Sequence, residues 1–152
     1  MQTSSPLHSP LHSPLHIDTT HLRLRPDGRA DKLPVTERFW PDLVAGKYGD
    51  FHNEYLVTTF HFDSNWTSWE QHPNGDEIVI LLSGAADFLL ELPDGTQKVE
   101  VRKPGEYAFV PKGAWHTANA LQPTAMLFIT AGEGTQTRPR EPSADKEPSA
   151  GE

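Results

Sequence analysis

From about residue 17 to residue 134 the chain is a succession of short β-prone runs cut by proline, glycine, asparagine and aspartate. That punctuation limits what it can fold into. His21 to Arg25 alternates and stops at Pro26-Asp27-Gly28; Tyr55 to Phe62 is β-branched and aromatic; Glu77 to Leu82 is strongly apolar. Ala85 to Leu92 and Gln97 to Arg102 flank Pro93-Asp94-Gly95, where Asp-Gly accepts the positive φ angles of a tight hairpin. Tyr107 to Val110 ends at Pro111-Lys112-Gly113, and Trp115 to Ala120 is joined through Gln122-Pro123 to Ala125 to Ala131. A single short helix is expected over residues 36 to 45, limited by Pro41. About eight or more antiparallel strands with so little helix predict an all-β sandwich or closed barrel.

The two ends read differently. Residues 5 to 16 repeat Ser-Pro-Leu-His three times, and a proline at every fourth position blocks helix propagation and removes a backbone donor. His8, His12 and His16 could chelate stray metal, but such a segment brings no preorganised geometry. Beyond Gly132 almost nothing is apolar, and Glu-Pro-Ser-Ala recurs at 141 and 147. The expected organisation is therefore a flexible tail over 1–16, one β domain over 17–134, and a flexible tail over 135–152.

With 13 basic and 21 acidic residues the net charge is −8, which disfavours nucleic acid and anionic membrane surfaces as partners. No apolar run is long enough to cross a bilayer, and the N-terminus is too polar and proline-rich for a signal peptide, so a cytoplasmic location is expected. The absence of cysteine removes disulfides and thiolate ligands from consideration.

The chemistry concentrates in three stretches: Glu70-Gln71-His72, then Asp76-Glu77, then Pro111-Lys112-Gly113-Ala114-Trp115-His116. Two imidazoles and two carboxylates on short, turn-bounded β segments are the ingredients of a divalent metal site, because both groups offer lone pairs to a first-row cation. On a strand, residues two apart share a face, so Glu70 and His72 project together while Trp69 and Gln71 point the other way.

The same residues carry a resemblance to the cupins. The first cupin motif reads glycine, five residues, H-x-H, three or four residues, glutamate, six residues, glycine; His72, Glu77 and Gly84 match its second half. Glu70 stands in place of the first histidine and Ser64 in place of the opening glycine. The second motif, glycine, five residues, P-x-G, two residues, H, three residues, N, is matched by Gly105, Pro111, Gly113 and His116, with Ala120 where the asparagine would be and Asn119 one residue early. The resemblance covers residues 64 to 120 and implies a jelly-roll barrel, the cupin double-stranded β-helix.

It further implies His72, Glu77 and His116 as metal ligands. Glu70 is open between a fourth ligand and a catalytic or orienting carboxylate that stays off the metal. The cation is expected to be iron or manganese, with zinc, nickel or copper as alternatives, since two imidazoles and two carboxylates neutralise a divalent ion and make it a weak acidifier of water. The implied activity is oxidation of a small organic molecule by dioxygen. Isomerisation or lyase chemistry, and a non-catalytic sensor role, are the rivals. Trp66 shares parity with Glu70 and is a candidate for the substrate pocket, whereas Trp69 and Trp115 are expected to face outward; the resemblance, together with these outward aromatics, implies a homodimer. His21, His52 and His61 read as packing or surface residues, Asp76 as a turn cap or an outer support, and Asn119 as uninvolved.

Overall fold

The computed structural model describes residues 13–141. Eleven strands make two antiparallel sheets. The strands are β1 (Thr20–Leu24), β2 (Ala30–Pro34), β3 (Tyr55–Phe62), β4 (Ser68–Gln71), β5 (Glu77–Ser83), β6 (Ala86–Leu92), β7 (Gly95–Val101), β8 (Tyr107–Val110), β9 (His116–Ala120), β10 (Thr124–Thr130) and β11 (Gln136–Pro139). Sheet A has the order β2-β1-β3-β10-β5-β8 and sheet B the order β11-β4-β9-β6-β7. After β3 consecutive strands alternate between the sheets except at the β6–β7 hairpin, which stays in sheet B, and this is the jelly-roll pattern expected from the sequence. No helix among the described residues is long and apolar enough to cross a membrane.

Alternation along each strand builds the core. Val79, Leu81, Met126, Phe128, Ala108 and Val110 come from sheet A, and Ala86, Phe88, Leu90, Val101 and Ala118 from sheet B; all are buried in one cluster between the layers. Leu33, Phe51 and Leu56 form a smaller cluster with Phe39 of α1 (Phe39–Val44), the single helix among the described residues. Pro41 fits α1 because it lies in the first turn, where backbone N–H groups have no intrahelical partner to lose.

The hairpin at Pro93-Asp94 forms as expected, with Leu92 paired to Gly95 and Gly95 at φ 124°. Gly84 turns β5 into β6 at φ +90°, and a Cβ there would stand 2.3 Å from the Pro123 carbonyl oxygen, so no other residue fits without moving backbone.

Two strands escaped the sequence reading. β2 is a polar, mostly exposed partner for β1, without an apolar pattern to reveal it. β11 lies beyond residue 134: Gln136 to Pro139 pair with Gln71 to Ser68, and Arg140 after them is buried. Its polar residues hid it. At the other end, Thr19 and Thr20 donate to the His16 carbonyl, so His16 is tied to β1. The tail expectations for residues 1–12 and 142–152 fall outside the described residues.

Trp69 and Trp115 face away from the core, as the parity argument requires. Arg138 of β11 lies between them, 5.3 Å and 4.5 Å from the two ring centroids, and its guanidinium donates to Glu91 at 2.7 Å. These rings are therefore already engaged within one chain. Ending the chain after residue 134 should lower the melting temperature by about 10 °C, a few kcal/mol for a domain of this size, whereas ending it after residue 141 should leave melting unchanged in differential scanning calorimetry.

Candidate metal centre

The two turns that carry the donors are stitched to each other. Asp76 accepts a hydrogen bond from the Lys112 backbone N–H at 2.8 Å, and Gly113 N–H donates to the His72 carbonyl at 2.9 Å. Asp76 is thus a turn cap, in the role expected for it. Gly75 is held against β10 so closely that a Cβ there would come within 2.5 Å of the Ala131 methyl. These contacts bring residues 36 positions apart in sequence to one end of the sandwich.

Sheet A contributes Glu77 at the first position of β5. Sheet B contributes Glu70 on β4, directly opposite His116 on β9, and His72 follows β4. His72, Glu77 and His116 are 4%, 2% and 0% exposed, while Glu70 is half-buried and so lies on the side from which solvent reaches the group. One donor atom each from Glu70, His72 and His116 lies within 4.8 Å of the others. Glu77 sits against both imidazoles: its Oε1 is 3.0 Å from His116 Nε2 and its Oε2 is 3.2 Å from His72 Nε2.

The outer atoms of these side chains fix what the inner atoms can do. His116 Nδ1 donates to the Ala114 carbonyl at 3.0 Å, which leaves Nε2 as the lone-pair nitrogen of the neutral ring. At His72, the Thr135 hydroxyl donates to the Gly132 carbonyl at 2.9 Å and so has only lone pairs to offer Nδ1, 2.8 Å away. His72 Nδ1 is therefore the protonated nitrogen, and its Nε2 also points inward as an acceptor. Thr130 donates to Glu77 Oε2 at 2.6 Å. Such outer bonds orient metal ligands and select their tautomer.

Three inward atoms, His72 Nε2, His116 Nε2 and Glu77 Oε1, are buried without a hydrogen bond of acceptable geometry. Orphaned polar atoms of this kind are costly unless something completes them. Their spacing suits a cation: neighbouring ligands at right angles on bonds of about 2.1 Å stand about 3.0 Å apart. The residues present fit a divalent metal ion.

In the bare protein the same atoms couple their protons. Burial alone would raise the Glu77 carboxyl, but the two imidazoles beside it prevail and hold it down to about 2. Burial opposes protonation of His116, and Glu77 outweighs it, so His116 is raised. Burial pushes Glu70 up, and the charge of Glu77 adds to that. A cation would take the place of the shared proton and release it.

Trp66 lies one step deeper than the donors. Its backbone N–H donates to the Ala118 carbonyl, two residues along β9 from His116, and its ring meets Phe62, Phe88 and Phe128 at centroid distances of 5.7, 5.8 and 6.0 Å. Its Nε1 is buried without a partner. Of the other histidines, His21 packs edge-on against Phe39, His52 bonds to Glu133, and His61 bonds to Asp18. Asn119 is on β9 facing away from the donors. The supports Thr130 and Thr135 went unnoticed in the sequence, and only the β-branched Thr135-Gln136-Thr137 run hinted that the chain was still ordered there.

No protein-family model matches this chain, and a search of curated proteins finds no match. Similar solved structures include hydroquinone 1,2-dioxygenase from Sphingomonas sp. TTNP3 with 4-hydroxybenzoate bound, 22% identical over 50% of this chain and 58% of that one, TM-score 0.43. Oxalate decarboxylase from Bacillus subtilis is 18% identical over 57% of this chain and 23% of that one, TM-score 0.45. A cupin-2 domain containing protein from Shewanella frigidimarina is 20% identical over 59% of this chain and 74% of that one, TM-score 0.38. This chain matches each of them over only part of its length. It spans well under two thirds of the first two proteins, and the chemistry is read from its own side chains.

If Thr135 fixes the His72 tautomer, Thr135→Val should weaken binding of a divalent ion by about tenfold, the low end for such supports because water can reach this exposed position. Thr135→Ser should bind as the parent does in isothermal titration. Binding of the ion should also weaken as pH falls, because protons compete for the His116 nitrogen.

Proposed function

We propose that this chain is a metal-dependent enzyme acting on a small organic molecule, with His72, Glu77 and His116 as ligands and Glu70 as the fourth. The observation that carries this reading is the set of three buried, unbonded donor atoms turned toward one point. Iron or manganese suits a centre of two imidazoles and two carboxylates without thiolate, with zinc, nickel or copper as alternatives. Such an ion supplies Lewis acidity and, with dioxygen as co-substrate, redox chemistry.

The chain's own residues divide the remaining work. His72, His116 and Glu77 hold their donor atoms fixed from outside through Thr135, Ala114 and Thr130. Glu70 occupies the side open to solvent, where a substrate would approach. Trp66, Phe88 and Phe128 pack together in the core behind the donors and leave the Trp66 Nε1 N–H without a partner. Oxidation by dioxygen is the favoured activity, because a charge-neutral centre stabilises an oxidised ion and does little to acidify water.

A second reading has its own support. Glu70 is the most exposed of the four donors and its carboxyl is raised by burial and by Glu77, as suits a base that takes a proton from a substrate in isomerase or lyase chemistry. A sensor role would require the same metal without turnover.

Elemental analysis of the purified protein should give about one divalent transition ion per chain, and His116→Ala should lose it. A variant that binds metal as tightly as the parent would reject the assignment. Glu70→His should keep the metal and raise its redox potential, while Glu70→Gln should weaken binding. If Glu70 is instead an uncoordinated base, both substitutions should leave the metal spectrum unchanged and abolish turnover. Oxygen consumption in a substrate screen separates oxidation from isomerisation.

A further inference from the structure

We infer that the protein has a second binding site, for a small organic carboxylate with an apolar body, in a cleft between the loop before β3 and the turns that lead to the metal donors. The cleft measures about 450 Å³, within the range of small-molecule sites. Residues 51–55 form one wall, and Asn74, Lys112, Ala131 and Glu133 form the other. None of Glu70, His72, Glu77 and His116 lines it, so the site stands apart from the metal centre.

The backbone marks this wall. Among the described residues, two that are not glycine have left-handed backbone, Phe51 at φ 60° and Asn53 at φ 55°, and both line the cleft. Asparagine tolerates that conformation, whereas for a bulky phenylalanine it is an outlier that the surroundings must hold. The Phe51 ring does so: it is buried with Leu33, Phe39 and Leu56, and the Arg23 guanidinium lies 5.3 Å from its centroid. Strained backbone held in this way gathers at ligand sites.

The polar groups set the class of ligand. Glu133 is engaged by His52, whose Nδ1 is 2.9 Å away and whose proton it stabilises, and Glu54 faces Arg23 at 3.9 Å. Lys112 is the uncompensated charge of the cleft. Its backbone N–H makes the bond to Asp76, and its ammonium has no ion pair or hydrogen bond among the described residues. The Tyr55 hydroxyl is also unbonded among them and lies over Gly75, 3.3 Å from where a Cβ would stand. Gly75 and Asp76 are consecutive, so two free donors, an ammonium and a phenol, enter the cleft beside one dipeptide. A carboxylate has an oxygen for each. A single free cation favours a monoanion over a phosphate dianion, which Glu54 and Glu133 would repel. The exposed face of the Tyr55 ring and the Ala131 methyl offer apolar contact to the rest of the molecule.

Isothermal titration of the full-length chain with three probes tests this site. Benzoate has the charge and an apolar body, benzamide has the body without the charge, and acetate has the charge without the body. Benzoate should bind about tenfold more tightly than either, a difference that one charge-assisted hydrogen bond can supply. Lys112→Met should abolish the preference for benzoate over benzamide, and it should fold as the parent does because the bond to Asp76 uses the backbone. Lys98→Met on sheet B should bind benzoate like the parent. No benzoate binding at millimolar concentration would overturn the inference. So would acetate or benzamide binding as tightly as benzoate, or benzoate binding that survives Lys112→Met, which would place the probe elsewhere, the metal ion included. None of these readouts requires a bound metal ion, so they fail or succeed separately from the proposed enzyme.

Discussion

A carboxylate sealed between two β sheets must be neutralised, and the rest of the site is arranged around the way Glu77 meets that demand. Its two oxygens reach His116 and His72, one from each of the two turns that bear the motifs, and Thr130 holds it from behind. Removing one partner of a buried charge pair leaves the other stranded, at about 3–5 kcal/mol. Glu77 is therefore a structural clasp between the sheets as well as a donor, and the turns are locked in turn by Asp76 to Lys112 and Gly113 to His72.

The outer bonds matter because they make the choice of lone pair unambiguous. An imidazole free to exchange tautomers would present an N–H to the centre part of the time. Here a backbone carbonyl takes the proton of His116, and a hydroxyl already committed to Gly132 takes that of His72. The Thr135 support comes from the segment that leads into β11, so the strand that closes the edge of sheet B also sets the chemistry of a ligand in the centre.

Most of the strands were legible because apolar alternation and turn residues agreed, as at Tyr55 to Phe62 and around Pro93-Asp94-Gly95. The donors were legible for a different reason. The motif resemblance implied that His72, Glu77 and His116 come together, and strand parity put Glu70 on the face of His72. β2 and β11 were not legible: an edge strand with solvent on one side needs no apolar pattern, and β11 is stabilised by its backbone pairing and by Arg138 between two tryptophans, a contact between residues far apart in sequence.

Glu70 shows how one residue can set the character of a site whose frame is otherwise fixed. It is paired with His116 across β4 and β9 and is the least buried of the four residues. With a histidine there, three imidazoles and Glu77 would leave a divalent ion with a net positive charge, which draws anions and sharpens the acidity of bound water. If Glu70 joined the other three donors, the formal charge would vanish. Attraction for an anionic substrate would then weaken.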